Sequence, residues 1–426
     1  MTRRILFLGF ALAIGTINVV WAFCGFYVST GDERLVNRAS RVVLAHDGTN
    51  TRVTMESDVQ GDPRQFGIVI PVPTVIQRDQ VRLVRPQTVT HMADYTRPRL
   101  VEYRDEDPCN PPPPVQPSPM PPAPSAAMSG RPPPGVRVEA QYQVGEYDIV
   151  GVSATSAVDL VRFLNRSGYR IPNGAEPVVR SYLAQGMRFF LARVNMDRMR
   201  EQNTTGFLRP IQVEYRSPRF MLPIRLGTVN AEGPQDMIVM ALTRRGRLET
   251  ANYRTIRMPE GAEVPYFLQR PGEFLRAYEA TFNRVFTASG GNATFLEYAW
   301  DLGTCDPCSA PPMTNAELRE LGAHWAADGD WRAGGTFVTR IRVRYDRERF
   351  PEDLMLKETA DRESHQVRFV TRRVFAGTTW TCRAGRDYAA GPPERFATQA
   401  RNLSQLTGWP LDEVRARMRE AGQAPR

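Results

Sequence analysis

The stretch 108–135 constrains this chain most, because it is dense in Pro, Ser, Ala and Gly and cannot build a core. Proline restricts φ and donates no hydrogen bond, so such a run favours an extended, solvated, polyproline-like form. It is expected to be an exposed disordered loop. It reads as a tolerated insertion, with a ligand for a proline-binding domain as the sharper alternative. The fold must then be assembled from what flanks it. The divisions are a signal peptide over 1–22, an N-terminal β-rich part over 23–107, a main α+β body over 136–390 and a helical tail over 391–426.

The signal reading rests on Arg3 and Arg4, an uncharged apolar run over 5–20, and Val20-Trp21-Ala22 as a cleavage site. Cleavage after Ala22 is expected, since Phe23 stands before Cys24 where a lipoprotein signal wants a small residue. The protein is therefore expected to be exported, periplasmic or extracellular. A membrane tether through an uncleaved signal is the alternative, although the run is at the short end of the roughly 20 residues a spanning helix needs. No later apolar run is long enough, so no membrane span is expected after cleavage.

The chain carries 55 Lys+Arg against 46 Asp+Glu, a formal +9 that signal removal lowers by two arginines. The charges alternate rather than cluster, as in Arg340-Ile341-Arg342-Val343-Arg344, which reads as a strand with one solvated face. Nucleic-acid binders concentrate basic residues on one face or tail, so nucleic acid is not an expected partner. An apolar fraction of 42% suffices for an ordinary core. The five cysteines, Cys24, Cys109, Cys305, Cys308 and Cys382, all survive signal removal, and an odd number leaves one thiol free or bonded to another molecule.

Strands are predicted at 42–44 and 53–57, joined through Asp47-Gly48-Thr49-Asn50, and at 66–72, whose unbroken apolar run implies burial on both faces. Strands at 136–144 and 147–153 turn at Gly145-Glu146, and others fall at 187–194, 211–215, 220–226, 237–242, 337–345 and 367–374. Helices are predicted at 159–165, 177–185, 273–286 and 314–321. The third turns Phe274, Leu275, Tyr278, Phe282, Val285 and Phe286 toward a sheet, and the fourth opens on a capping box of Thr314 and Glu317. The tail reads as two helices, one burying Phe396, Ala400, Leu403 and Leu406, the other presenting Leu411, Val414 and Met418, docked on the domain or on a partner. Segments 53–73, 211–226 and 341–356 share a layout of strand, proline turn and strand, which repetition and chance explain equally well. The fold class is α+β: a β-rich body of mostly antiparallel strands with several short packed helices and a helical C-terminal tail.

Catalytic signatures are missing: no phosphate loop ending in Gly-Lys, no His-Glu-x-x-His, no Gly-x-Ser-x-Gly and no Ser-x-x-Lys. His46, His91, His324 and His365 are scattered, which argues against a histidine-rich metal site and leaves open only a triad built from distant segments. The sharpest chemical motif is Cys305-Asp306-Pro307-Cys308, whose spacing serves a small disulfide, a metal or a redox pair. Pro311 and Pro312 follow where a redox motif wants a helix, and no second Cys-x-x-Cys completes a zinc site. A structural disulfide is expected, with a redox role for Cys305 and Cys308, or a bond to Cys382 or Cys24, as alternatives. Asp105, Glu106 and Asp107 read as a solvated loop, and Trp300, Trp325, Trp331 and Trp380 as core rather than a sugar platform. No metal, cofactor or catalytic residue is expected.

Several pieces, taken in order, resemble a family of bacterial exported proteins known as domain of unknown function 2330. They are Cys24-Gly25-Phe26, Gly61-Asp62-Pro63 with Phe66 and Ile70-Pro71-Val72-Pro73, Tyr147-Asp148, and 160–164 with Gly168-Tyr169-Arg170-Ile171-Pro172. Further on come Leu222-Pro223-Ile224-Arg225-Leu226, Cys305-Asp306-Pro307-Cys308, and Thr339-Arg340 through Tyr345-Asp346 with Phe350-Pro351-Glu352-Asp353-Leu354. The resemblance implies export and an α+β body, and it transfers no activity. This chain departs from the pattern in having no second cysteine between Cys24 and Cys109, and in ending on polar helices. The expected function is that of a non-enzymatic envelope protein acting by binding or assembly, its partner an envelope protein or a cell-wall component. A thiol–disulfide protein using Cys305 and Cys308 is the alternative.

Overall fold

The computed structural model describes residues 20–21, 26–29, 36–60, 66–110, 138–167, 169, 171, 174–202, 208–229, 233–304, 306, 311–326, 335–377 and 382–424. Most of the signal segment and of the proline-rich stretch lies outside the described residues, as do Cys24, Cys305 and Cys308. Two sheets packed face to face, with helices on both outer faces, form the body. The larger sheet runs in the order Arg254–Arg257, Ala293–Asp301, Phe337–Tyr345, Gln235–Thr243, Val36–Asp47, Asn50–Gln60, Ile211–Arg216 and Val81–Leu83. Its neighbours are antiparallel except at Gln235–Thr243 beside Val36–Asp47 and Arg254–Arg257 beside Ala293–Asp301. The smaller sheet, Phe26–Ser29, Phe66–Val72, Arg188–Val194, Tyr147–Val152 and Val138–Val144, is antiparallel throughout.

The two-residue period of the strands sorts side chains between layers. Val42 and Leu44 point into the core between the sheets with Val53 and Met55, while Val43 and Ala45 face helices on the other side. In the smaller sheet Ile68, Ile70 and Val72 meet that central core, and Val69 turns to the helices Ala157–Arg166 and Ala175–Ala184. This two-sided burial is why 66–72 is apolar without a break. The outer face of the larger sheet is covered at one end by Pro86–Thr96 and Asn315–Glu320, and at the other by Glu273–Ala288 and the tail helices. The chain reverses between Val36–Asp47 and Asn50–Gln60 through Gly48, whose φ of 65° suits glycine.

Several expectations need correction. Of 220–226 only Met221–Leu222 is strand. Pro223 then ends the pairing, and Arg225–Thr228 forms a helical turn. Arg340 and Arg342 are 9% and 2% exposed, so their face of the strand is covered and not solvated. The helix Pro86–Thr96 lies against Arg340, with Ala93 O at 3.0 Å, and the helix Glu273–Ala288 supplies Glu279 at 2.7 Å from Arg342. Asp236, fully buried on the adjacent strand, pairs with Arg342 at 2.5 Å and Arg344 at 2.6 Å. Leu275 of that helix faces away from the sheet, 61% exposed. Asp105 is drawn out of the solvated run: its carboxylate accepts from Tyr388 Oη at 2.6 Å and pairs with Arg395. Trp300 and Trp325 pack against the outer core, whereas Trp331 and Trp380 lie outside the described residues.

The tail docks on the body through Phe396, Ala400, Leu403, Val414 and Met418, which join Phe282 and Phe295 in one apolar cluster. The three echoing segments share a path. Each has one strand in the larger sheet and a second strand outside it, and the outer strands of the second and third segments pair, Leu222 opposite Leu354. Val20 and Trp21 pair in parallel with Gln235 and Asp236.

Candidate functional site

The proline-bearing segments 211–226 and 341–356 meet at one corner, where a buried carboxylate of the second ties them together. Asp353 is 5% exposed. One of its oxygens accepts from Tyr182 Oη at 2.6 Å, from Ile224 N–H at 2.8 Å and from Arg225 N–H at 3.1 Å. The other accepts from Arg225 Nε at 3.0 Å. Pro223 has no N–H to continue the strand, so the following amides are free to turn onto Asp353. Burial pushes the Tyr182 hydroxyl well above its usual pKa, and the Asp353 charge beside it adds to the rise, so it stays a donor. The carboxylate thereby joins the segment after Leu222 to the helix Ala175–Ala184, which carries Tyr182.

That junction builds a cleft. Its walls are Pro71 and Pro73 from the end of Phe66–Val72, Gln185 and Met187 after Ala175–Ala184, Tyr215 with Ser217, Pro218 and Arg219, and Met221 with Pro223. The Met187 N–H is held on Tyr182 O at 3.0 Å, and the Ser217 N–H on Thr49 O at 2.9 Å, so both flanking turns are fixed to the frame. The cavity measures about 150 Å³, close to the volume that admits a benzene-sized group. A smaller void of about 20 Å³ shares Pro71, Tyr215 and Pro223 with it and continues inward to Met55 and Leu222. Four of the lining positions are proline, giving a rigid apolar wall that loses little freedom on binding. The lining contains no carboxylate, imidazole or thiol, and the Ser217 hydroxyl already accepts from Arg219 N–H at 3.0 Å. Such a site can hold an apolar group, and it offers no nucleophile with a base beside it.

The sequence-predicted residues lie elsewhere. Cys305 and Cys308 are outside the described residues, but Asp306 between them is buried, with Tyr298 Oη at 3.0 Å and Gln366 Nε2 at 2.7 Å donating to it. The aspartate is thus held against the larger sheet. Cys109 is bonded to Cys382 with Cα atoms 5.8 Å apart, which removes Cys382 as a partner for Cys305 or Cys308. The histidines are separately engaged. His46 stacks on Phe220 at 3.8 Å, His91 bridges Glu317 and Pro311, His324 contacts Arg52, and His365 lies 3.0 Å from Glu260. Burial lowers the pKa of His46 and of His365. Among the described residues no three of His, Cys, Asp and Glu gather as metal ligands, and no helix is long and apolar enough to cross a membrane.

Sequence reasoning did not find Asp353, Tyr182 or Arg219 as parts of one place. The available signal was the recurrence of proline just after a strand in segments 53–73, 211–226 and 341–356. A family model described as an uncharacterized protein conserved in bacteria matches residues 19–357. No curated protein and no solved structure matches the chain.

Proposed function

The chain belongs to that bacterial family, DUF2330, and from this premise we propose that it is an exported envelope protein that acts by binding, without catalysis, at the proline-walled cleft. The observation that carries the reading is the convergence of Pro71, Pro73, Pro223 and the Asp353 junction on a preformed apolar cavity whose lining has no reactive pair. Export is supported by Arg3, Arg4, the apolar run and the cleavage site. It is also supported by the Cys109–Cys382 bond, since disulfides persist chiefly in oxidising compartments. Cleavage after Ala22 would remove the short Val20–Trp21 pairing with Gln235 and Asp236. The partner is an envelope protein or a cell-wall component. The thiol–disulfide alternative at Cys305 and Cys308 draws no support from the described residues.

A photo-crosslinking residue placed at position 218, exposed on the rim of the cleft, in the full chain, in cells, tests the reading. One envelope partner should be trapped, and filling the cavity with Met187→Trp should abolish the crosslink. Turnover of an envelope substrate by the purified protein, or a crosslink indifferent to Met187→Trp, overturns the proposal. Mass spectrometry of the same sample reads the N-terminus, expected at Phe23.

A further inference from the structure

We infer that the cleft takes a peptide C-terminus: a bulky apolar last side chain in the cavity and its free carboxylate on Arg219. This rests on the binding function proposed above and names its ligand class. A volume of about 150 Å³ is room for one ring or branched side chain, not for a run of several. Pro71, Pro73, Met187, Tyr215, Met221 and Pro223 supply apolar contact around it.

The rim adds charge. Arg219 is the one charged residue in the lining, it is exposed, and among the described residues it has no carboxylate partner. Its side-chain contact among the described residues is Nη1 to Gln185 Oε1 at 3.4 Å, a long contact to a neutral acceptor. Its backbone is fixed by the Ser217 hydroxyl. Arg225 and Arg245, by contrast, are paired with Asp353 and Glu358. A guanidinium fork matches a carboxylate through two parallel hydrogen bonds, and such charge-assisted bonds are the strong ones. The ligand is therefore complementary in size, polarity and charge to the same few residues.

The test uses N-acetyl-L-leucine and N-acetyl-L-phenylalanine, each against its carboxamide, titrated into the full-length exported protein. Methyl signals of Met187 and Met221, assigned with Met187→Leu and Met221→Leu, report occupancy. The acids should shift both signals saturably, and the amides should bind about tenfold more weakly, the scale of losing a charge-assisted pair. Arg219→Gln should bring the acids to the level of the amides and leave the amides unchanged. Equal binding of acid and amide overturns the carboxylate assignment and leaves the cleft as a binding site. No shift of either methyl with any probe overturns the cleft itself, and the proposed function falls with it.

Discussion

Asp353 shows what a single buried side chain does here. Its two oxygens satisfy four donors, two of them backbone amides that cannot turn back to water. Replacing it with alanine strands those donors and leaves Arg225 half-buried without its counter-charge, which should cost about 3 kcal/mol or more. Tyr182→Phe removes one donor and leaves the rest, and should cost about 2 kcal/mol. Urea unfolding midpoints of the two variants check the order; equal losses would mean that the backbone contacts do not matter. Asp353 stood in plain view in the sequence as part of Phe350-Pro351-Glu352-Asp353-Leu354. Its role was not legible, because Arg225 and Tyr182 are 128 and 171 residues away and nothing local announces the meeting. Arg342 was misread for the same reason. An alternating arginine looks solvated until Asp236 and Glu279 are known to lie against it.

At the scale of elements, the helix Asn315–Glu320 joins a cap to a titrating latch. Thr314 Oγ1 accepts from Glu317 N–H at 3.2 Å, and Glu317 accepts from Thr314 N–H at 2.8 Å, the capping box read from the sequence. Thr314→Ala should cost about 1 kcal/mol in thermal or urea unfolding. Glu317 also lies 2.8 Å from His91 Nδ1, while His91 Nε2 faces Pro311 O at 2.8 Å. Only the imidazolium donates from both nitrogens at once. Burial opposes the His91 charge, but the Glu317 hydrogen bond, the Pro311 carbonyl and the charges of Glu317 and Asp94 outweigh it and raise its pKa above 6.5. Burial likewise works to raise Glu317, yet His91 and Thr314 bring it below 4.5. His91 therefore contributes stability that is complete below 6.5 and is lost as pH rises through its raised pKa. Glu317 contributes stability that is complete above 4.5 and is lost as pH falls through its lowered one. Wild type should exceed His91→Gln in stability near pH 5.5, and the gap should narrow toward pH 9. A gap constant across that range would rule the latch out.

Elements with one clear pattern were legible, the strand Phe66–Val72 by its unbroken apolar run and the helix Glu273–Ala288 by its helical period. The strand Ala293–Asp301 was missed because a bulge between Leu296 and Tyr298 breaks its alternation, and because Glu297 sits buried against Arg340 inside it. The helix Pro86–Thr96 was also passed over. Its residues are a mixed run in which only Val89, Met92 and Tyr95 mark the buried face.

Over the whole molecule, the family match stops at residue 357 while the chain continues into helices that complete the apolar cluster over the larger sheet. Phe396, Leu403 and Met418 cover surface on Phe267 and Phe282 that would otherwise face water. The tail is further tied by the parallel pairing of Arg99–Arg104 with Arg368–Arg373, by Asp105 to Arg395, and by Cys109–Cys382. Cys109→Ser should lower stability by about 2–5 kcal/mol, the usual range for losing a native disulfide. Calorimetry with and without reductant checks this; a wild-type protein insensitive to reductant would contradict it. The α+β class and the docking of the tail were readable from amphipathic patterning. Which cysteines pair was not, because pairing depends on a fold that brings together positions 273 apart.

With that bond closed, residues 109–382 form a covalent circle, and the proline-rich stretch is an arc of it. A single protease cut in that arc opens the circle without dividing the molecule. The piece ending before the cut keeps Cys109, the piece beginning after it keeps Cys382, and the two travel as one two-chain protein until a reductant parts them.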